Sequence, residues 1–161
     1  MVSWPEDADS RIEALMDDKN RDVDFVIFSL EGKKDMVLNE DHIGKGGRAK
    51  VEEILKENDD KVMVGAFLAL GVDDREVTVS IRRKYIHFIF VGSGVSVMTK
   101  GRVNSQSGEF KNKFSGCHLY LQLMGDLDDL QEAALEKELL SIGGAHKPGR
   151  YDWTNSTLDE A

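Results

Sequence analysis

Only one cysteine, Cys117, stands among the 161 residues, and a single thiol cannot close an intramolecular bridge. No Cys/His spacing offers four zinc ligands either, so no metal is expected, and a reducing compartment, by default the cytoplasm, is. The sequence also lacks any stretch near the ~20 apolar residues that a membrane span needs. Met1 to Asp9 carries acids and a proline where a signal peptide has a basic start and an apolar run. The expectation is therefore a soluble, unexported chain. No internal repeat or long low-complexity segment is present, which leaves one compact unit. A chain of this length buries roughly 70% of its unfolded surface and needs neither metal nor disulfide to hold a core.

Acids outnumber bases overall, 30 Asp/Glu against 21 Lys/Arg, but one stretch is almost without acids. The formal net charge is -9. Between Val77 and Gly125, however, seven Lys/Arg (Arg82, Arg83, Lys84, Lys100, Arg102, Lys111, Lys113) face one acid, Glu109, a net of +6 that leaves -15 on the rest. An acidic body with one basic segment fits a partner with an acidic surface. Nucleic acid is a poor fit, because the whole chain is acidic and no stacking aromatics alternate with the cations.

Periodicity then orders the elements. Asp9 to Asp18 places Ile12, Leu15 and Met16 at helical spacing, with Ser10 and Glu13 as a capping box. Val23 to Leu30 is a β-branched and aromatic run that reads as a buried strand. Glu31-Gly32-Lys33 is a turn, and Met36 to Leu38 returns as its hairpin partner. Lys45 to Glu57 puts Ala49, Val51, Ile54 and Leu55 near one helical face, ahead of turn residues 58–60. Val62 to Val72 and Val77 to Val91 form an antiparallel strand pair. Gly94 to Phe114 keeps Val103, Phe110 and Phe114 at helical spacing, though Gly101 and Gly108 weaken it. Cys117 to Met124 alternates cleanly as a strand. Asp126 caps a last helix with Leu130, Ala134, Leu135 and Leu139 facing inward and Gly143-Gly144 at its end. The expected fold is α/β (α+β): a mixed sheet of five to six strands with helices on both faces. The expected domain spans 1–145, and 146–161 is expected to be a polar, flexible tail.

Catalytic patterns are weak. Gly44-Lys45-Gly46-Gly47-Arg48 lacks the spacing of a P-loop and reads as a loop before a helix. Gly92-Ser93-Gly94-Val95-Ser96 does not fit Gly-x-Ser-x-Gly, and no His and Asp complete a triad. His87, inside an aromatic strand, reads as a hydrogen-bonded structural histidine. His42, His118 and His146 are scattered, so no metal cluster forms. Cys117 and His118 are strand neighbours and point to opposite faces, which rules out a nucleophile and base pair. Acid pairs such as Asp17-Asp18, Asp73-Asp74 and Asp128-Asp129 sit in turns or first helical turns, where carboxylates cap and solvate. The expectation is a binding protein with no catalytic residue and no cofactor. Scattered surface lysines would look much like the basic segment, so its meaning depends on whether the fold gathers them.

Three segments carry a resemblance. Arg83-Lys84-Tyr85-Ile86-His87-Phe88-Ile89-Phe90-Val91-Gly92 resembles the fourth strand of the actin-depolymerising-factor homology (ADF-H) family, cofilin-like and related to gelsolin domains. Val95-Ser96-Val97-Met98 resembles the start of that family's long third helix. Glu138-Leu139-Leu140-Ser141-Ile142-Gly143-Gly144-Ala145 is similar to the close of the last helix in its coactosin branch. The resemblance runs from Ile12 to Tyr151. It implies a mixed sheet between helix pairs and a monomer that binds the side of filamentous actin in the cytoplasm, at the actin cytoskeleton.

The same resemblance implies site residues. Lys84 takes the place of a filament-contacting lysine at the start of the fourth strand, Lys111 matches a second lysine on the long helix, and Lys100 and Arg102 lie near two basic positions that depolymerising factors use. Arg82, Arg83, Lys113 and the apolar Met98 complete the expected actin-binding set. Actin monomer and anionic phosphoinositides stay open as further ligands. Ser3 sits where many depolymerising factors are phosphorylated. The chain departs from the family at Gly101 and Gly108, which predict a shortened, kinked or mobile third helix, and in a longer C-terminal segment containing Trp153.

Overall fold

The computed structural model describes residues 1–143 and 147–160. Helix α1 (Ala8–Met16) leads into strand β1 (Phe25–Glu31), which turns at Gly32 into β2 (Asp35–Gly44). Helix α2 (Gly47–Glu57), strands β3 (Val62–Asp73) and β4 (Ser80–Val91), and helix α3 (Val97–Lys113) follow. Strand β5 (Leu119–Met124), helix α4 (Glu132–Ile142) and strand β6 (Arg150–Asp152) complete the order. The six strands make one mixed sheet in the order β2-β1-β3-β4-β5, with β6 on β3. Only β4 and β5 pair in parallel.

Each face of the sheet carries its own core. Ile12 and Leu15 of α1 with Val103 and Phe110 of α3 cover Val26, Phe28 and Val64 on one face. On the other, Val51, Ile54 and Leu55 of α2 with Leu135 and Leu139 of α4 cover Phe25, Ile27, Met63, Phe67 and Phe88. Because β3 is buried on both faces, its sequence is a continuous apolar run rather than an alternation.

Several expectations need correction. Helix α1 begins at Ala8, and its capping box does not form: the N-cap Asp7 makes no side-chain cap bond, and the Ser10 hydroxyl instead donates to the Asp7 carbonyl at 2.9 Å. Strand β2 runs over Asp35–Gly44, not merely Met36 to Leu38; it lies at the sheet edge and is mostly polar, which hides it from an apolarity reading. Asp126 does not cap α4: its carboxylate accepts from the Asp128 N–H at 3.1 Å ahead of a 3-10 turn over Asp128–Leu130 whose N-cap is Leu127, and α4 begins only at Glu132.

Helix α3 is neither shortened nor broken at its glycines. It runs unbroken for 17 residues, and a Cβ on Gly101 or Gly108 would meet nothing within 4 Å. Each glycine costs about 1 kcal/mol against alanine. Burial of Val103, Gln106 and Phe110 and the cap from the Ser96 hydroxyl, which accepts from the Thr99 N–H at 3.2 Å, offset that cost.

The expected C-terminal tail is folded onto the body wherever it is described. Strand β6 pairs with Leu70, Gly71 and Val72 of β3, beyond the point where β1 ends its own pairing at Phe67. The buried Asp152 carboxylate then accepts from Thr154, Asn155 and Thr157, at 2.6 Å from the Thr157 hydroxyl. Asn155, at φ 62°, donates to the Leu68 carbonyl at 2.9 Å and to Asp24 at 3.2 Å. Asp24 also accepts from the Gly47 N–H at 2.9 Å, which ties the C-terminal segment to the start of α2. Gly47 holds φ 62°, and a Cβ there would lie 2.3 Å from the Trp153 carbonyl oxygen, so the closure requires glycine. Gly144, Ala145 and His146, expected at the helix close and the tail boundary, lie outside the described residues.

Candidate functional site

Strand alternation divides the cations that open β4. Ile86, Phe88 and Phe90 face α2 and α4, while Tyr85, Ile89 and Val91 face α1 and α3. By the same period of two, Arg82 and Lys84 project toward the α2/α4 side and Arg83 toward the other. The three neighbours therefore do not converge. Arg83 is occupied within the fold: its Nε donates to the Tyr85 hydroxyl at 2.8 Å, and its guanidinium lies 5.7 Å from the centre of the Tyr85 ring. Arg82 and Lys84 make no ion pair among the described residues.

Beside Arg82 and Lys84 stands the turn 74–79, which joins β3 to β4. Its base is tied by Arg75 to Asp73 at 2.9 Å, by Arg150 to Asp74 at 3.2 Å, and by Arg75 to the Lys147 carbonyl at 2.8 Å. Its tip exposes Val77 completely and Val79 by 54%. A held base and an apolar tip form a small projecting surface. The sequence reading missed it by assigning Val77 to Val79 to the strand. The available signal was two exposed valines beside the acids of residues 73–76.

Helix α3 supplies a second group. At about 100° per residue, the buried Val103, Gln106 and Phe110 fix the inward face, and Gly101, Asn104, Ser105, Gly108 and Asn112 point outward, exposed. Lys100 and Lys111 share one flank of that outward strip. Met98, 79% exposed, lies with Arg102 on the other. The one acid of the helix, Glu109, is taken up by the N-terminal segment, accepting from the Val2 N–H at 2.9 Å with the terminal ammonium at 3.8 Å. Lys100, Arg102 and Lys111 are thus left unopposed. Lys113 is engaged internally, with its ammonium 2.8 Å from Asp9 and 5.4 Å from the centre of the Trp4 ring.

Ser3 is stitched to β2 by a parallel bridge with Asp35. Its N–H donates to the Lys34 carbonyl at 2.8 Å, and its hydroxyl donates to Asp35 at 2.7 Å. It is accessible, but its hydroxyl already faces a carboxylate.

The groups considered for chemistry have structural environments. Burial pushes the Cys117 thiol up to about 12, far from a thiolate at neutral pH. Burial and the nearby Lys84 push His118 down, and its Nδ1 accepts from the Tyr85 N–H at 3.0 Å. His87 is fully buried, bonds the Gly65 carbonyl through Nδ1 at 2.9 Å and stacks 4.7 Å from the Phe114 ring. Among the described residues no group of three or more His, Cys, Asp or Glu could hold a metal ion, and no helix is long and apolar enough to cross a membrane. What the arrangement offers is two groups of cations on different faces of one sheet, Arg82 and Lys84 at the start of β4 and Lys100, Arg102 and Lys111 on α3, with Arg82 and Lys111 exposed and the other three half-buried.

Comparison with known proteins bears on this arrangement. The family described as cofilin/tropomyosin-type actin-binding protein matches residues 1–140. Coactosin of Entamoeba histolytica is 29% identical over 135 residues, which covers 83% of this chain and 86% of that protein. The crystal structure of coactosin from Entamoeba histolytica superimposes with a TM-score of 0.74 at 25% identity, covering 89% of this chain and 98% of that one. Mouse coactosin, described as an actin filament binding protein, shares the fold at a TM-score of 0.61 and 18% identity, over 89% of this chain and 94% of that one.

Proposed function

This chain belongs to the cofilin/tropomyosin-type actin-binding protein family, and on that premise we propose that it binds the side of actin filaments in the cytoplasm, as a regulator of filament dynamics without catalytic turnover. The observation that carries the reading is the division of the unpaired cations. Arg82 and Lys84 stand on one side of the sheet, next along the chain to the exposed Val77 and Val79, and Lys100, Arg102 and Lys111 stand with Met98 on α3. Two surfaces fit a lattice that presents two neighbouring subunits better than they fit a single monomer. Arg83 and Lys113, engaged within the fold, act by holding Tyr85 and Trp4 in place rather than by contact.

Actin's surface is acidic, so the cations speed encounter and orient the domain while Met98 and Val77 supply apolar contact. Exposed ion pairs are worth only about 0 to 1 kcal/mol each, and added salt shortens their reach. A phosphate on Ser3 would set about two negative charges against Asp35 and loosen the N-terminal segment from β2; weaker filament binding by Ser3→Asp would support a switch there.

The test is co-sedimentation with filaments from about 0.05 M to about 0.3 M salt, where the screening length contracts roughly twofold. The bound fraction falls across that range, and Lys100→Ala with Lys111→Ala lowers it at every salt. A salt-independent bound fraction contradicts the mechanism. Tight binding to actin monomer, or preferential capture by vesicles containing anionic phosphoinositide, moves the same cations to one of those ligands instead.

A further inference from the structure

The sheet has three free margins, and they are defended unequally. Strand β2 carries Asp35, Glu40 and Asp41, its register against β1 shifts between Val26 and Phe28, and the N-terminal segment bridges it at Ser3. Strand β6 is only three residues long. Charges, irregular register and shortness are the devices by which natural sheets prevent edge-to-edge pairing. Strand β5 has none of them: Leu119–Met124 reads LYLQLM, with no charge and no proline, and its register with β4 is unbroken from Ile86 to Val91.

The backbone of that edge is unpaired. Past the end of β5 the Gly125 N–H donates to the Val91 carbonyl at 2.8 Å, with Met124 opposite Val91 in a parallel register. By alternation, Leu119, Leu121 and Leu123 face β4 with their N–H and C=O groups, and Tyr120 and Gln122 turn theirs away from it. No backbone hydrogen bond joins that side to another described residue. Alongside lies a groove of about 410 Å³, floored by Leu119 and Leu121 and walled by Ala134, Lys137 and Glu138 of α4.

We propose that the β5 edge is a self-association surface, and that its occupant is the β5 of a second copy of this chain, added antiparallel about a two-fold axis normal to the sheet. A row of unpaired amides calls for another strand, and β5 is complementary to itself. Residues opposite one another in an antiparallel pair share a face, so the two-fold sets Leu121 against its own copy, Leu119 against the second copy's Leu123, and Tyr120 against its Gln122. The outward amides of Tyr120 and Gln122 meet those of the second copy's Gln122 and Tyr120, and Leu121 with its copy makes the non-hydrogen-bonded pair between them. Leucine meets leucine on one face, and a tyrosine meets a glutamine on the other, where Tyr120 is already held by its hydroxyl donating to the Phe114 carbonyl at 3.1 Å. The groove also carries both signs, Lys137 beside Glu138 and Asp129. It therefore complements its own copy across the two-fold, whereas a strongly charged segment would meet like charge. Such a pair joins the two six-stranded sheets edge to edge and leaves the outward strip of α3 uncovered. This departs from the monomer expected on sequence grounds; strand addition needs no heptad seam.

The test is sedimentation equilibrium of the wild type, Gln122→Lys and Leu121→Lys, from about 10 μM to about 1 mM, with circular dichroism as a check on folding. The wild-type mass rises with concentration from 18.0 kDa toward twice that value. Each lysine weakens association by at least about tenfold, since like charge and lost apolar pairing at a strand edge both oppose it. Gln122 is exposed, so Gln122→Lys decides the matter even where Leu121→Lys fails to fold. A wild-type mass that stays at 18.0 kDa throughout the range overturns the proposal. So does a dimer that Gln122→Lys leaves unchanged, which would lie on another surface.

Discussion

Acid should destabilise this protein through one histidine, and the effect can be sized. His87 is fully buried in β4. Burial pushes its pKa from an ordinary 6.5 to about 4, against the Gly65 carbonyl bond that favours the protonated ring, while the distant Lys111 adds to the lowering. Its second ring nitrogen, Nε2, has no partner, so a proton placed there gains nothing in compensation. The unfolded chain takes up a proton near pH 6.5 and the folded chain resists until about 4, so the unfolded state binds more protons in that window. Stability is therefore complete above pH 6.5 and falls as pH drops toward 4. The total is about 3 kcal/mol, of which about 2 kcal/mol is lost between pH 7 and pH 5. The assay is urea unfolding of the wild type and His87→Gln at pH 7, 6 and 5. Glutamine keeps an N–H for the Gly65 carbonyl and cannot titrate. It gives up the stacking on Phe114, so the variant starts lower, by about 1 to 3 kcal/mol at pH 7. The decisive quantity is the slope: the wild type should lose about 2 kcal/mol more than the variant over this range. His42 and His118, also pushed down by burial, remain in both proteins and cancel. Parallel losses in the two proteins would refute the assignment.

Other perturbations separate local cost from tertiary support. Gly101→Ala and Gly108→Ala meet open space on the outward strip of α3, so each should stabilise the protein by about 1 kcal/mol in chemical denaturation; destabilisation would mean that this strip is packed. Asp152→Ala leaves the Thr154, Asn155 and Thr157 donors without their shared acceptor and should cost about 3 kcal/mol. Thermal unfolding should register that loss, together with faster amide exchange at Asn155 and Thr157. A change below about 1 kcal/mol would show that the C-terminal segment contributes little to the fold.

The parts of the fold that sequence reveals are those where burial itself writes the pattern. Strands β1, β3 and β4 lie between two helical layers, so their side chains are apolar on both faces and read as continuous runs. Helices α2 and α4 each bury one stripe and show its spacing. Strand β2 shows only its Met36 to Leu38 portion, because the rest of this edge includes Asn39, Glu40 and Asp41, residues that serve loops equally well. The C-terminal segment escapes for a related reason: Asp152, Asn155 and Thr157 satisfy one another when buried, yet in a sequence they resemble any polar tail. In α3 the glycine penalty was visible, but the packing of Phe110 and the Ser96 cap that outweigh it were not. The candidate surface was legible as a charge imbalance, since seven cations against one acid stand out by counting. Its division was not, because only the register of β4 tells Arg83 from Lys84, and only the fold brings Asp9 to Lys113 or Val2 to Glu109.

The claim that two cationic surfaces hold a filament is tested most directly at Lys84, which is unpaired and stands on the face away from α3. The measurement is high-speed co-sedimentation of the wild type and Lys84→Ala with filamentous actin, beside a monomer-binding assay and a urea midpoint for each protein. The account predicts that the wild type pellets with filaments and is silent toward monomers, and that Lys84→Ala, unchanged in stability, loses most of its pelleting. Full pelleting by a folded Lys84→Ala, or wild-type binding to monomers as tight as to filaments, would contradict it.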